Sequence, residues 1–218
     1  MMTSKILPWL ALPVLLAAAS PAAAQGDDDT KWFARAGVTR LRLADKIQLT
    51  AGGAPVPGAD IHTPTHYTPT VQLGHYFAKN FAVALTVGVP PHINIYGRQT
   101  LQPFGKLAET TYGPAVLTAQ YHPLRSGPVR PYIGVGAAYM IVFSAKDGAF
   151  QNVHIDNDLS PAIEGGTDIM FSRRVGLFLD VKKAWLRTTA TGTFGGAPVV
   201  GKVKLDPLAL TAGIAIHF

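Results

Sequence analysis

Residues 81–89 read FAVALTVGV, and the alternation is unbroken: Phe81, Val83, Leu85, Val87 and Val89 fall on one side, Ala82, Ala84, Thr86 and Gly88 on the other. A period of two belongs to an extended strand whose faces meet different surroundings. The run before it, PTVQLGHYF, sets Val71, Leu73, His75 and Phe77 against Thr70, Gln72, Gly74 and Tyr76. Only AKN separates the two runs, which predicts an antiparallel hairpin. YGPAVLTAQYH and RPYIGVGAAYMIVF continue the plan; in the second, Ile133, Val135, Tyr139, Ile141 and Phe143 oppose Gly134, Gly136, Ala138, Met140 and Val142.

In SPAIEGGTDIMF, Ile163, Thr167, Ile169 and Phe171 alternate with Glu164, Gly166, Asp168 and Met170, and SRR leads into VGLFLDVKKAWL. There Val175, Leu177, Leu179, Val181 and Trp185 share a face, with Asp180 and Lys182 opposite. KWFARAGVTRLRL is a first strand whose alternation its arginines weaken. LDPLALTAGIAIHF is the last, with Leu208, Leu210, Ala212, Ile214, Ile216 and Phe218 on one face. VKLDP is out of parity with the strand that begins at Leu208, which predicts a bulge or change of direction near Asp206 and Pro207.

Eight strands result, joined alternately by long and short connections. The long ones run over Ala44–Thr68, Pro90–Thr111, Ser144–Leu159 and Thr188–Gly201; the short ones lie near Lys79, Ser126 and Arg173. An even number of strands of roughly 10 residues, with short turns at one end and long loops at the other, describes an all-β, eight-stranded antiparallel transmembrane barrel. A soluble sandwich or lipocalin-like barrel also alternates, but its outer face is hydrated. Here the face opposite the large apolar residues carries alanine, glycine, threonine and a few charges, which suits a narrow lumen. Lipid tolerates no open sheet edge, so eight strands have to close.

The segment before the first strand differs. MMTSKILPWLALPVLLAAASPAAAQG has a positive charge at Lys5, an apolar run from Ile6 to Ala19, and Ala22 and Ala24 in an A-x-A arrangement. This predicts a secretory signal peptide over residues 1–24, leaving one domain over 25–218. The run is short for a membrane span, and Pro8 and Pro13 interrupt it. No cysteine is present, so an exported chain must hold together without disulfides. Lys and Arg outnumber Asp and Glu by 19 to 13. Export and the lack of any nucleic-acid motif point that excess away from nucleic acid and toward an anionic lipid surface.

The chain also resembles the OmpW family of small outer-membrane barrels. The similar stretches are FARAGVTR at Phe33–Arg40, PHINI at Pro91–Ile95, YGPAVLTAQYHP at Tyr112–Pro123, RPYIGVGAAYMIVF at Arg130–Phe143 and VKLDPLALTAGIAIHF at Val203–Phe218. The resemblance implies a Gram-negative outer-membrane location and a narrow hydrophobic route for small apolar solutes. It also implies that the terminal aromatic, here Phe218, forms part of the signal read by the barrel assembly machinery. Expected partners are outer-membrane lipids including lipopolysaccharide, that machinery and small hydrophobic solutes, with no nucleic acid and no cofactor.

Parity and loop composition together single out candidate site residues. Glu164, Asp168, Asp180 and Lys182 share the inward parity and form a lumen network, either a structural plug of ion pairs or an ion-selective lining; an eight-stranded interior is filled by side chains, which favours the plug. Ile93, Ile95, Tyr96, Leu101, Phe104 and Phe150 are candidates for a hydrophobic mouth, or else an ordinary extracellular collar. Trp32, Tyr121, Tyr139, Trp185 and Phe218 fit interfacial aromatic girdles. His62 and His66 lack the fixed ligand spacing of a metal site. Nothing matches a phosphate loop, a nucleophile elbow or a dinucleotide fingerprint, so an enzyme is not expected. The alternatives are a barrel that displays its loops to a partner without transport, and a lipid-modifying enzyme, for which Ser144 and His154 are only loop neighbours.

Overall fold

The computed structural model describes residues 30–218; the expected signal peptide lies outside them. Along the chain there are fifteen strands: β1 (Trp32–Arg42), β2 (Lys46–Ala51), β3 (Ala54–Pro55), β4 (Ala59–His62), β5 (His66–Ala78), β6 (Phe81–Gly88), β7 (His92–Gln99), β8 (Lys106–Tyr121), β9 (Val129–Asp147), β10 (Gln151–Ile155), β11 (Asp158–Met170), β12 (Val175–Ala184), β13 (Arg187–Phe194), β14 (Ala197–Lys204) and β15 (Leu208–His217). Eight of them make the wall. The hydrogen-bonded circuit β1-β5-β6-β8-β9-β11-β12-β15 returns to β1, each neighbour antiparallel, and β8–β9 joins what would otherwise be two sheet edges. The barrel is closed, as its apolar exterior requires.

Side-chain parity divides the wall. On β6 and β12 the outward positions Val83, Leu85, Leu177 and Leu179 are exposed, while Ala82, Ala84, Phe178 and Asp180 are buried. On β1 the outward set is Trp32, Ala36, Val38 and Arg40, and the inward set holds Phe33, Arg35 and Thr39. At about 3.3 Å per residue and a tilt of about 40°, β1 climbs roughly 25 Å from Trp32 to Arg42, the height of an outer-membrane apolar band. Exposed Trp32, Phe77, Phe81, Tyr121, Phe171 and Phe218 ring the lower rim, and Tyr67, Tyr139 and Trp185 stand near the upper one. Phe81 and Tyr121 lie with ring centroids 5.2 Å apart across β6 and β8.

Above the upper rim, segments expected as loops are strands. β2, β14, β13 and β10, with the short β3, form a five-stranded sheet, while β4 and β7 extend the edge of β8. The barrel wall thus continues upward as paired backbone. The reason is the cost of leaving buried N–H and C=O groups unpaired where these segments enclose an apolar interior. The chain does break at Asp206, whose φ of 34° ends the run of β14 before β15 begins.

The inner face at the lower end packs aromatic against glycine. Phe33 on β1 lies opposite Gly74 on β5, and a Cβ at Gly74 would clash with Phe33 Cζ. Phe33 is fully buried, packed with Tyr76, Ala82 and Ala84. Gly74→Ala is therefore expected to destabilise the barrel by about 1–3 kcal/mol through overpacking. Urea titration in lipid vesicles, read by tryptophan fluorescence, checks this; an unchanged midpoint would mean that Phe33 can rotate away.

Candidate functional site

The lumen is organised in layers. Above the aromatic layer of Phe33, Tyr76 and His122, β1 and β11 bring Arg35 and Asp168 together in a two-pronged pair, with Nε to Oδ1 and Nη2 to Oδ2 both 2.8 Å. Both side chains have no solvent exposure. The guanidinium is held between two rings, 4.2 Å from the Phe33 centroid and 4.0 Å from that of Tyr132, and donates to Gln72 Oε1 at 2.6 Å. His217 Nε2 lies 2.9 Å from Asp168 Oδ2.

One layer higher, Lys182 Nζ bridges Glu164 Oε2 at 2.8 Å and Asp180 Oδ1 at 2.6 Å. Tyr132 donates its hydroxyl to Asp180 Oδ2 at 2.9 Å, and Thr118 and Gln120 donate to Glu164. Glu164, Asp168, Asp180 and Lys182 are thus brought into one connected cluster. Sequence reasoning missed Arg35, Gln72, Tyr132 and Gln120, which complete it. Each charge has an opposite charge and further hydrogen bonds, the condition under which buried ions are tolerated.

Above the polar layer the lumen turns apolar. Leu41, Ile93, Tyr112, Ala138, Met140 and Ala162 form one buried cluster, and Leu49, Ile61, Leu101, Leu107, Val199 and Val203 a second above it. Between them lies a cavity of about 80 Å³ whose lining includes Leu43, Ile47, Ile95, Leu107, Val142 and Phe150. Its polar groups are the hydroxyls of Thr63, Thr110, Thr188, Thr191 and Tyr112, and no charged residue lines it.

Of the six mouth candidates, Ile93, Ile95 and Phe150 line this cavity, and Leu101 packs in the cluster beside it. Tyr96 and Phe104 are exposed, and Phe104 rests against Phe194 with centroids 4.6 Å apart. Most of the rest of the lining comes from β4, β8, β9 and β10 and from β2, β13 and β14, the last three in segments rich in glycine and threonine. Alternation within KIQLTA and within PVVGKVK was the available signal. Asp45 fastens this upper part by accepting from the backbone N–H of Thr63 at 2.6 Å and from its hydroxyl. Among the described residues no group of three or more His, Asp or Glu side chains is placed to hold a metal ion.

Comparisons with known proteins agree with this geometry. The OmpW family model matches residues 28–218. The chain is 30% identical to the outer-membrane protein AlkL of Ectopseudomonas oleovorans over 199 residues, covering 91% of this chain and 86% of that one. It is 32% identical to PahQ, a dibenzothiophene metabolism operon protein of Pseudomonas aeruginosa, over 191 residues, 88% of this chain and 90% of the relative. In structure it is similar to AlkL determined in lipid bilayers, with a TM-score of 0.73 at 30% identity over 92% of this chain and 95% of the other. OprG of Pseudomonas aeruginosa shares the fold at a TM-score of 0.80 and 22% identity, over 87% and 96% of the two chains. With a closed lipid-facing wall, a packed polar lumen and a family match across the whole described chain, this protein belongs to the OmpW family of outer-membrane β-barrels.

Proposed function

We propose that the barrel provides small hydrophobic molecules with a route into the outer membrane. The observation that carries this reading is the uncharged apolar cavity seated on a filled polar layer. A solute entering from the extracellular end loses apolar area to the lining at roughly 25 cal/mol per Å². Arg35 and Asp168, both without solvent exposure, stop it from continuing down the axis. The remaining exit is sideways between strands into the bilayer. At cavity height the β8–β9 ladder shifts register between Thr111 and Tyr112, and Pro114 brings no N–H to it, which supports that seam as the exit.

At about 80 Å³ the cavity is about half the ~150 Å³ of a dry cavity that admits benzene. Side chains such as Phe150 and Ile95 therefore have to part for a solute of that size or larger. The relatives include operon proteins of dibenzothiophene metabolism, which supports flat aromatic compounds as one solute class. Uptake of an apolar fluorescent probe into proteoliposomes, compared with empty liposomes, tests the route. Acceleration is expected, and equal rates would overturn the proposal. Ala190→Trp fills the lining, so it is expected to slow uptake several-fold while the heat-modifiable gel shift of the folded barrel persists.

The same proposal covers the setting of the chain. Residues 1–24 act as an export signal, and the barrel contacts lipopolysaccharide in the outer leaflet. Phe218 is read by the assembly machinery: its ring is exposed on the lower rim, and its backbone is locked to Trp32 by two hydrogen bonds of 2.9 Å.

A further inference from the structure

The sheet above the membrane has two faces of opposite character. Ile47, Leu49, Val199 and Val203 turn inward to the cavity, and the alternate positions turn outward. On that outer face Arg187 on β13 lies directly opposite Lys204 on β14, which lies directly opposite Lys46 on β2. Two residues along, Lys202 stands between Thr189 and Gln48. Four cations thus occupy one patch of three adjacent strands, about 4.8 Å apart; within these three strands no acidic residue pairs with them in register, while at the β10 edge Asp158 Oδ2 accepts the backbone N–H of Arg187 at 2.8 Å and Asp156 donates its N–H to the Thr189 carbonyl. Among the described residues none of the four makes an ion pair, whereas Glu109 in the β8–β9 extension pairs with both Lys106 and Lys146. Hydrogen bonds from Lys146 and Lys106 hold the Glu109 carboxyl below its usual range.

Like charges placed directly opposite on adjacent strands are destabilising by themselves. Their side chains surround a depression in the sheet face, lined by Lys46, Gln48, Arg187, Thr189, Lys202 and Lys204. The height of this patch decides its occupant. Lys46 comes one short connection after Arg42, and Arg42 stands roughly 25 Å above Trp32, at the top of the apolar band. Lys183 continues the positive strip downward beside Leu208, its Nζ donating to the Asp206 carbonyl at 2.5 Å. The strip therefore stands where the phosphates of outer-leaflet lipid begin.

We propose that this outward face of β13, β14 and β2 binds the phosphorylated headgroup of a lipid A-type glycolipid. The inference rests on the proposed contact with lipopolysaccharide and gives it a location on the protein. Arg187 can present two parallel N–H donors to one phosphate, Lys46 and Lys204 supply compact charges beside it, and Thr189 and Gln48 can reach sugar hydroxyls. A lipid bound there neutralises the row of like charges and covers the outer wall of the solute cavity.

The test is titration of bis-phosphorylated lipid A into the full barrel in neutral detergent, read by native mass spectrometry. Wild-type protein and the triple variant Lys46→Gln, Arg187→Gln, Lys204→Gln are compared. The triple variant is expected to bind about 100-fold more weakly, as the loss of three cations beside an anionic lipid surface implies. Lys46→Arg with Lys204→Arg is expected to bind like wild type, and heat-modifiable mobility shows that each variant is folded. Equal binding by the triple variant overturns this site while leaving the lipopolysaccharide contact standing. No binding by wild type overturns both. Tighter binding of an acidic polysaccharide such as heparin than of lipid A, lost in the same triple variant, would overturn the lipid assignment.

Discussion

Replacing Arg35 by alanine is expected to lower the stability of the folded barrel by about 3–5 kcal/mol, the usual cost of stranding one member of a buried ion pair. The geometry explains the size. Asp168 would lose both guanidinium bonds of 2.8 Å and keep only His217 as a side-chain partner. Gln72 would lose its donor, and the space between Phe33 and Tyr132 would empty. No solvent reaches Asp168 to compensate. Urea titration in vesicles measures the loss. Arg35→Lys should recover part of it, because an ammonium restores the charge but not the two-pronged fit. A midpoint for Arg35→Ala equal to wild type would mean that water enters the lumen freely, and the plug would have to be abandoned.

The second large effect is expected on the opposite face of the wall. Ile214 points outward on β15, in register with Ala36 on β1 and Leu177 on β12, and is 52% exposed. Ala36 lies four residues above the Trp32 rim, roughly 10 Å up a tilted strand and so close to midplane. Ile214→Arg should cost about 2–4 kcal/mol there. Thr211→Ser should be mild, since Thr211 faces inward and its hydroxyl meets Thr39 at 2.8 Å, a bond serine can keep. Heat-modifiable mobility of membrane-extracted protein separates the two. A folded fraction unchanged by Ile214→Arg would count against lipid at this face. Arg40 and Arg42 are no exception, because they occupy the outward parity of β1 near the top of the band.

The wall is legible in the sequence because each of its strands has a lipid side and a lumen side, and period-two alternation records that contrast directly. The strands above it read as loops, since glycine and threonine dilute their alternation and their sense is reversed. Val203 and Leu205 are apolar and face the cavity; Leu208 and Leu210 are apolar and face lipid. The odd positions face inward on both sides of Asp206, so the parity change seen in VKLDPLAL marks a swap of surroundings, with the greasy side passing from inside to outside. Glu164, Asp168, Asp180 and Lys182 could be placed inward by parity. Which residues they pair with could not be read, because Arg35 and Asp168 are 133 positions apart; parity sets Arg35 opposite Arg40 and Arg42 on β1, but alternation carries no information on contacts between distant strands.

The seam between β1 and β15 also governs how the chain can reach this state. Phe33 pairs with His217, so the first strand of the barrel finds its second neighbour only in the last. Loop-closure entropy across nearly the whole described chain must be overcome before that pairing contributes anything, which makes closure a late and slow event. Until then every partial sheet carries two bare edges and a stripe of outward leucine, valine and isoleucine, a combination that invites strand exchange between molecules. The hazard is highest for a nearly complete chain, whose apolar wall is large while its edges are still open. Folding that lets the growing wall meet lipid before the edges meet each other removes the hazard, and it makes the bilayer a participant in the kinetics of closure as well as the surroundings of the finished barrel.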